Sequence, residues 1–200
     1  ENYRQVIVIP GNHEFYKQFD ISKLYDGWSL QIRENILCCY NSVIPLNDET
    51  ELIATTLWGR IGLQDAFRTE SVISDFRRIR WACEPLDWVR FNEEHDRCFR
   101  FLEQQVNRST AKHIVVVTHH VPSFELVAPE FKGSPLNGAF AVELGNYIAA
   151  SPIEYWIYGH SHRNIDKVIG NTRCVSNQLG YVFGNEHSSF NTSAYIEIID

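Results

Sequence analysis

An α/β domain is predicted, and three observations carry the prediction. Three short segments, Val6–Ile9 (VIVI), Ile114–Thr118 (IVVVT) and Glu154–Tyr158 (EYWIY), are almost wholly apolar, as strands buried on both faces are. Between the first two lies one long amphipathic stretch, Asp87–Arg108, with the 3.6-residue period of a helix packed by one face. Each apolar segment gives way at once to turn residues. Strands alternating with helices in this manner build a sheet covered by helices.

Taken in order, Val6–Ile9 ends at Pro10–Gly11. Residues 20–35 are predicted to be helical, with Asp20 or Ser22 as the cap and Leu24, Trp28 and Ile32 recurring at every fourth position. Cys38–Cys39 is assigned to a core strand. Glu51–Trp58 (ELIATTLW) is the next predicted strand. Residues 60–86 are of mixed character, with short helical pieces and a basic knot at Arg77, Arg78 and Arg80, and are read as an inserted excursion outside the core. In Asp87–Arg108 the apolar stripe is Val89, Phe91, Cys98, Phe101, Leu102 and Val106. After Ile114–Thr118 comes a loop punctuated by Pro122, Pro129, Gly133, Pro135 and Gly138, then a helix near Ala139–Ala149. Glu154–Tyr158 follows, and Ile165–Ile169, Thr172–Ser176 and Ala194–Ile199 are predicted as further strands. Gly170–Asn171 supplies a tight hairpin turn between two of them.

The chain has 200 residues, 44% of them hydrophobic and 22% charged, which fits one domain over residues 1–200 with one sizeable core. Disorder, collagen and coiled coil are excluded by the same composition. The net charge of −7 argues against a nucleic-acid coat protein. It leaves room for a small phosphorylated substrate, because bound metal ions reverse the local field. No segment reaches the roughly 20 apolar residues that span a bilayer, and no signal pattern opens the chain, so a cytoplasmic protein without a membrane partner is expected. The five cysteines include no CxxC pair and are read as reduced core thiols. There is no Met, so Glu1 is not an unprocessed start, and the chain is expected to be part of a longer gene product.

The chemistry gathers beyond the three apolar strands. VIVI is followed by Pro10-Gly11-Asn12-His13-Glu14, IVVVT by His119-His120-Val121-Pro122, and YWIY by Gly159-His160-Ser161-His162. Five of the eight histidines therefore sit just past strand ends. In open α/β sheets that edge is where ligands bind. If the three strands are parallel neighbours, their turns share one crevice. Neutral imidazole is the commonest ligand of first-row metals. Asn12 can add an amide oxygen, and Gly11 permits the backbone to turn it inward. His13 is then free to face a substrate as a proton donor. Each motif alone is weak, since Asn and His are ordinary turn residues. Three at one topological location are a stronger signal.

GNHE at 11–14, THHVP at 118–122 and GHSH at 159–162 resemble, in order and spacing, the last three signature motifs of the calcineurin-like metallophosphoesterases. The resemblance runs from about residue 5 to about 183, with weaker support from TTLWGR at 55–60, DFRRIR at 75–80 and SNQLGY at 176–181. These weaker segments resemble small bacterial and phage-type members of the family. The family resemblance implies a four-layer α-β-β-α sandwich with a two-metal centre at the strand ends. Carried over, Asn12, His119 and His160 would be ligands of one divalent ion and His162 of the other, with Mn, Fe, Zn or similar as the metals. His13 would protonate the leaving oxygen or steady the transferred phosphoryl group. Glu14 and His120 would orient the ligands or border the pocket. Trp58, Arg60 and Tyr181, and with them Tyr16 and Asn177, would line the substrate pocket, although core or rim packing accounts for the aromatic residues as well. The reaction implied is in-line hydrolysis of a phosphomonoester or phosphodiester by a hydroxide between ions about 3.5–4 Å apart. The substrate would be a phosphorylated small molecule or nucleotide.

Two earlier motifs of the family, Asp-x-His and Gly-Asp-x-x-Asp, are not found here. Asp65, Asp75, Asp166 and Asp200 lack their context. The domain is therefore expected to be N-terminally incomplete, with its first strands missing, and the isolated chain to be inactive or impaired. It is also expected to be unstable or to form a homodimer through exposed strand edges. A degraded relative, or a site completed by another chain, is the other account of the gap. Two further readings compete with a hydrolase. One is a non-catalytic scaffold of the same fold that has lost metal ligands. The other is a mononuclear metal-binding protein.

Overall fold

The computed structural model describes residues 3–17 and 19–198. Glu1, the predicted strand end at Ile199, and Asp200 lie outside the described residues. The elements are β1 (Val6–Val8), β2 (Trp28–Arg33), β3 (Ile36–Tyr40), β4 (Ser42–Pro45), β5 (Thr50–Thr55), α1 (Ala66–Val72), α2 (Asp75–Arg78), β6 (Arg80–Trp81), β7 (Glu84–Pro85), α3 (Trp88–Arg108), β8 (His113–Thr118), α4 (Gly145–Ala150), β9 (Tyr155–Ile157), β10 (Lys167–Ile169) and β11 (Thr172–Val175). They form a mixed α/β architecture with a six-stranded sheet of order β10-β11-β9-β8-β5-β4, a three-stranded sheet of order β1-β3-β2, and the β6–β7 pair. Strands β5, β8, β9 and β11 are mutually parallel neighbours. Among the described residues no helix is long and apolar enough to cross a membrane.

Alternation along the central strands sorts side chains to two cores. Ile53 of β5, Ile114 and Val116 of β8 and Trp156 of β9 face a core shared with Phe101, Leu102 and Val106 of α3 and Ile148 of α4. Their neighbours Leu52, Ala54, Val115, Val117, Tyr155 and Ile157 face the other way, against Ile7, Leu37 and Cys39 of the small sheet and Ile9 just beyond β1. The two sheets thus pack face to face, and helices cover the other side of the larger one. Each fully buried aliphatic side chain in these layers contributes about 1.5–3 kcal/mol.

Helix α3 forms where predicted, with Asp87 as its N-cap accepting the Arg90 N–H. Val89 is exposed, however, and the inner face carries buried Glu94 and His95 between the apolar positions. The predicted hairpin at Gly170 is present, joining β10 to β11 with Gly170 at φ +62°.

Several expectations are corrected. VIVI is only half-buried and belongs to the edge of the small sheet, parallel to β3, so it is not a neighbour of β8 and β9. Residues 20–35 are not a helix. Asp20 caps only a short 3-10 turn at Ile21–Lys23, Gly27 turns at φ +83°, and Trp28–Arg33 pairs antiparallel with β3. The predicted 51–58 strand ends at Thr55, and Leu57 and Trp58 turn into left-handed backbone. The helix near 139–149 shrinks to α4 because Asn137–Ala139 is a separate 3-10 turn. The segment 60–86 is no excursion: Ile61, Ala66, Phe76, Ile79 and Leu86 are buried in one cluster with Tyr40, Trp58 and Phe91. Residues 194–198 are not a strand, although Ile196 and Ile198 still pack between the sheets. All five cysteines are free, and four are buried as expected, but Cys83 is exposed.

Candidate functional site

The three turns do meet, although they come from two sheets. The segment after β1 winds into a 3-10 turn, Asn12–Phe15, in which the positions three apart, Asn12 and Phe15, point inward and His13 and Glu14 outward. The Glu14 carboxylate accepts the Gly11 N–H at 2.8 Å and holds the turn's entry. Gly11 is required sterically, since a Cβ there would lie 2.4 Å from Cε1 of His119. On the other sheet, the His119 carbonyl accepts the Gly159 N–H at 3.0 Å, which ties the turn after β8 to the turn after β9. Thr118 Oγ1 donates to the His120 carbonyl and accepts the Trp156 indole N–H, so the core anchors the first of these turns. Gln178 anchors the second by accepting the His162 N–H and donating to Ser161 Oγ and the Arg163 carbonyl. His160 and His162 sit at φ +68° and +51°, a conformation that costs a non-glycine residue of order 1 kcal/mol or more and that clusters at functional sites.

At the junction, His119 Nε2 lies 3.0 Å from Asn12 Oδ1 and 2.9 Å from His160 Nδ1. One imidazole proton cannot satisfy both contacts. The remaining lone pairs converge, and His160 Nε2 is buried with no partner among the described residues. Ligands set at right angles about 2.1 Å from one ion are themselves about 3 Å apart. Two neutral imidazole nitrogens and an amide oxygen at this spacing fit a divalent cation. The nitrogens are in the required form, because burial, reinforced by His13 and His162, pulls His119 down to about 3, and burial with the neighbouring histidines holds His160 well below its ordinary value. Among the described residues, no three His, Cys, Asp or Glu side chains form a metal-ligating group. The convergence therefore depends on the Asn12 amide.

Asp75, at the start of α2, orients that amide. Its two oxygens accept from Asn12 Nδ2 at 3.0 and 3.1 Å, which leaves Asn12 Oδ1 for the histidines. Asp75 also accepts from Tyr16 OH at 2.7 Å, and the Tyr16 ring stacks on His13 with centroids 4.5 Å apart. Burial raises the Asp75 carboxyl, opposed by these two hydrogen bonds and by His13. Burial, then Asp75, holds the Tyr16 hydroxyl well above its usual range.

His13, Glu14, Tyr16, Asp75, His162 and Tyr181 border a cavity of about 570 Å³ together with the Asn12, His119 and His160 cluster. His162 Nδ1 lies 2.8 Å from Glu186 Oε2 rather than against that cluster, and its ring meets Tyr181 edge-on. His120 is fully buried between Trp58 and His160, with Nδ1 3.4 Å from the Thr56 carbonyl. Three expected pocket residues are elsewhere. Trp58 is fully buried against Phe15 and Phe91, because the left-handed turn after β5 folds it into the core. Arg60 pairs with Asp96 on the surface, beside a separate cavity. Asn177 Nδ2 donates to the Asn191 carbonyl, outside the cavity lining. Arg78 lies over the Tyr16 ring at 5.1 Å, and Arg77 bonds the Ser71 carbonyl. Sequence reasoning set Asp75 aside for want of motif context and did not single out Glu186. The only signal for Asp75 was its place at the head of DFRRIR.

A family model for calcineurin-like phosphoesterases matches residues 1–164. Uncharacterized protein L509 of Acanthamoeba polyphaga mimivirus is 26% identical over 226 residues, which cover 98% of this chain and 74% of the viral protein. The crystal structure of the phosphopantetheinyl hydrolase PptH from Mycobacterium tuberculosis is similar with a TM-score of 0.55 at 14% identity, over 90% of this chain and 70% of that one. At that identity the likeness is one of fold. Two further solved chains are matched over 46% and 32% of their own lengths, so this chain spans less than half of each.

Proposed function

The chain belongs to the calcineurin-like phosphoesterase family, and from that premise we propose that it hydrolyses a phosphoester of a small molecule with the help of a divalent metal. The observation that carries this reading is the meeting of Asn12 Oδ1 and His160 Nδ1 at His119 Nε2, which lies 3.0 Å from the first and 2.9 Å from the second. These three would hold the ion, with Asp75 fixing the rotamer of Asn12. When bound, the ion supplies Lewis acidity toward a phosphoryl oxygen and lowers the pKa of nearby water. His162, on the same cavity, stands ready for a neighbouring ion or for the phosphoryl group, with Glu186 orienting its ring. His13 is exposed on the cavity and stacked on Tyr16, which suits a proton donor to the leaving oxygen.

One observation favours a second reading, a non-catalytic scaffold. The convergent donors are all neutral, and no carboxylate joins them among the described residues. Release of p-nitrophenol from p-nitrophenyl phosphate and bis(p-nitrophenyl) phosphate in Mn²⁺ separates the two. Metal-dependent turnover that disappears in His119→Ala is expected. No turnover with any divalent ion, and no metal-induced rise in melting temperature, would leave the scaffold.

A further inference from the structure

We propose that the cavity takes a phosphoester with a single phosphoryl group on an apolar, ring-sized organic group, in preference to a sugar phosphate or a polyanionic ester. The proposal rests on the hydrolase reading only for calling that ligand a substrate.

At about 570 Å³ the cavity is larger than a phosphoryl group needs and falls within the size range of organic-ligand sites. The apolar part of its lining comes from Ile73, which follows α1, and from Val127, Ala128, Phe131, Leu136 and Phe140 of the loop after β8. Phe140 stacks on His160 with centroids 4.9 Å apart, so the apolar surface begins where the converging donors end. Phe131 and Phe140 remain 46% and 36% exposed, an aromatic surface without a cover inside a concave site. Hydroxyls placed there would find few partners. Asn137 already donates its Nδ2 to the Phe131 carbonyl, and Ser134 Oγ accepts the Leu136 N–H at 3.3 Å, so both polar side chains of that stretch are engaged with its own backbone.

The charges point the same way. Arg163 is the one Lys or Arg in the described lining, and its guanidinium is engaged by Glu130 Oε1 at 2.8 Å and the His162 carbonyl at 3.1 Å. Three carboxylates, Glu14, Asp75 and Glu186, line the same space. Recognition of additional phosphates calls for free Arg or Lys donors, and each added phosphate would instead meet fixed negative charge.

Calorimetric titration of the full chain in Mn²⁺ tests this with 1-naphthyl phosphate, glycerol 2-phosphate and fructose 1,6-bisphosphate, alongside hydrolysis of the same three. Naphthyl phosphate is expected to bind at least tenfold more tightly than either of the others, and Phe131→Ala combined with Leu136→Ala to narrow that ratio severalfold. Equal affinities, tighter binding of the bisphosphate, an unchanged ratio in the double variant, or no binding of the naphthyl ester would overturn the inference. The expected ranking without hydrolysis of any ester would overturn the hydrolase reading and keep the ligand class. Equal hydrolysis of all three would do the reverse.

Discussion

On the inner face of α3, His95 is 2% exposed, and its Nδ1 lies 3.1 and 3.2 Å from the carbonyl oxygens of Leu57 and Trp58. Beside it, buried Glu94 accepts from Tyr40 OH at 2.9 Å and pairs with Arg97. At the strand ends, His119 and His160 turn nitrogens toward each other, His119 also meets an amide oxygen, His160 Nε2 has no partner among the described residues, and two residues of the turn are left-handed. Both regions enclose imidazole and lower its proton affinity. What separates them is that His95 has backbone carbonyls to accept its proton, while the second set has lone pairs in excess of protons. Burial of a histidine alone does not mark a site. Burial with converging acceptors and strained backbone does.

The widest test of that contrast sets His160→Ala against Phe91→Ala, the latter a fully buried ring in the cluster under α3. Loss of a ligand should cost about a thousandfold in metal-dependent hydrolysis, because a Lewis acid supplies several kcal/mol and each tenfold is about 1.4 kcal/mol. The same change should move metal-free stability by no more than about 1 kcal/mol, since it removes an unsatisfied polar atom. Phe91→Ala should instead cost about 3–5 kcal/mol of folding free energy. Urea titrations and initial rates on both variants read this directly. A collapse in stability for His160→Ala would place the crevice with the core.

The same contrast explains which parts of the fold were legible in the sequence. Strands β5, β8 and β9 show as short, nearly unbroken apolar runs packed on both faces, and helix α3 shows by its 3.6-residue period. Residues 28–33 were misread because Leu24, Trp28 and Ile32 are four apart, a spacing that suits a helix and is also a multiple of two. Pairing with β3 decided between the two. The histidine turns were legible because each follows an apolar strand. Asp75 was not, because what it does depends on Asn12, 63 positions away, and no local pattern carries such a pair. Trp58 and Arg60 lie in a segment whose direction is set by left-handed turns at Leu57 and Trp58, which neither residue type advertises.

Asp75→Asn sharpens the comparison from inside the crevice. An amide there can present its own N–H to Asn12 and so permit the flipped Asn12 rotamer. Outer partners of metal ligands are typically worth 10–100-fold in affinity or rate. A loss of that size in Mn²⁺ affinity is expected, with partial recovery in Asp75→Glu. Unchanged affinity would make Asp75 an ordinary buried carboxylate like Glu94.

On the α3 side the matching test is titration. Burial is the main reason His95 takes a proton less readily in the folded protein than its ordinary value implies. Below about pH 6.5 the unfolded chain therefore binds more protons than the folded one, and stability falls as pH drops. For an imidazole that stays neutral in the fold, the loss from pH 7.5 to 5.5 is about 1.4 kcal/mol. Asp75 and Glu94 act with the opposite sign, since burial raises both. They become favourable as pH falls toward the carboxylate range, below this window. Urea midpoints in EDTA should fall over this interval in the parent chain and fall less in His95→Gln. Identical pH dependence in the two proteins would show that His95 is not the titrating group.

The smallest effect is predicted for Arg60, which belongs to neither region. Its ion pair with Asp96 joins side chains 53% and 45% exposed. Pairs of that kind are screened by water and salt and are typically worth up to about 1 kcal/mol. Its cavity neighbours are Gly62, Gln64 and Lys132 rather than any of the converging histidines. Arg60→Ala should therefore shift the melting temperature by a few degrees at most and leave the KM for p-nitrophenyl phosphate where it was. A KM raised tenfold or more would bring Arg60 back to the phosphoryl group. The boundary between crevice and surface would then have to be redrawn to include the segment after β5.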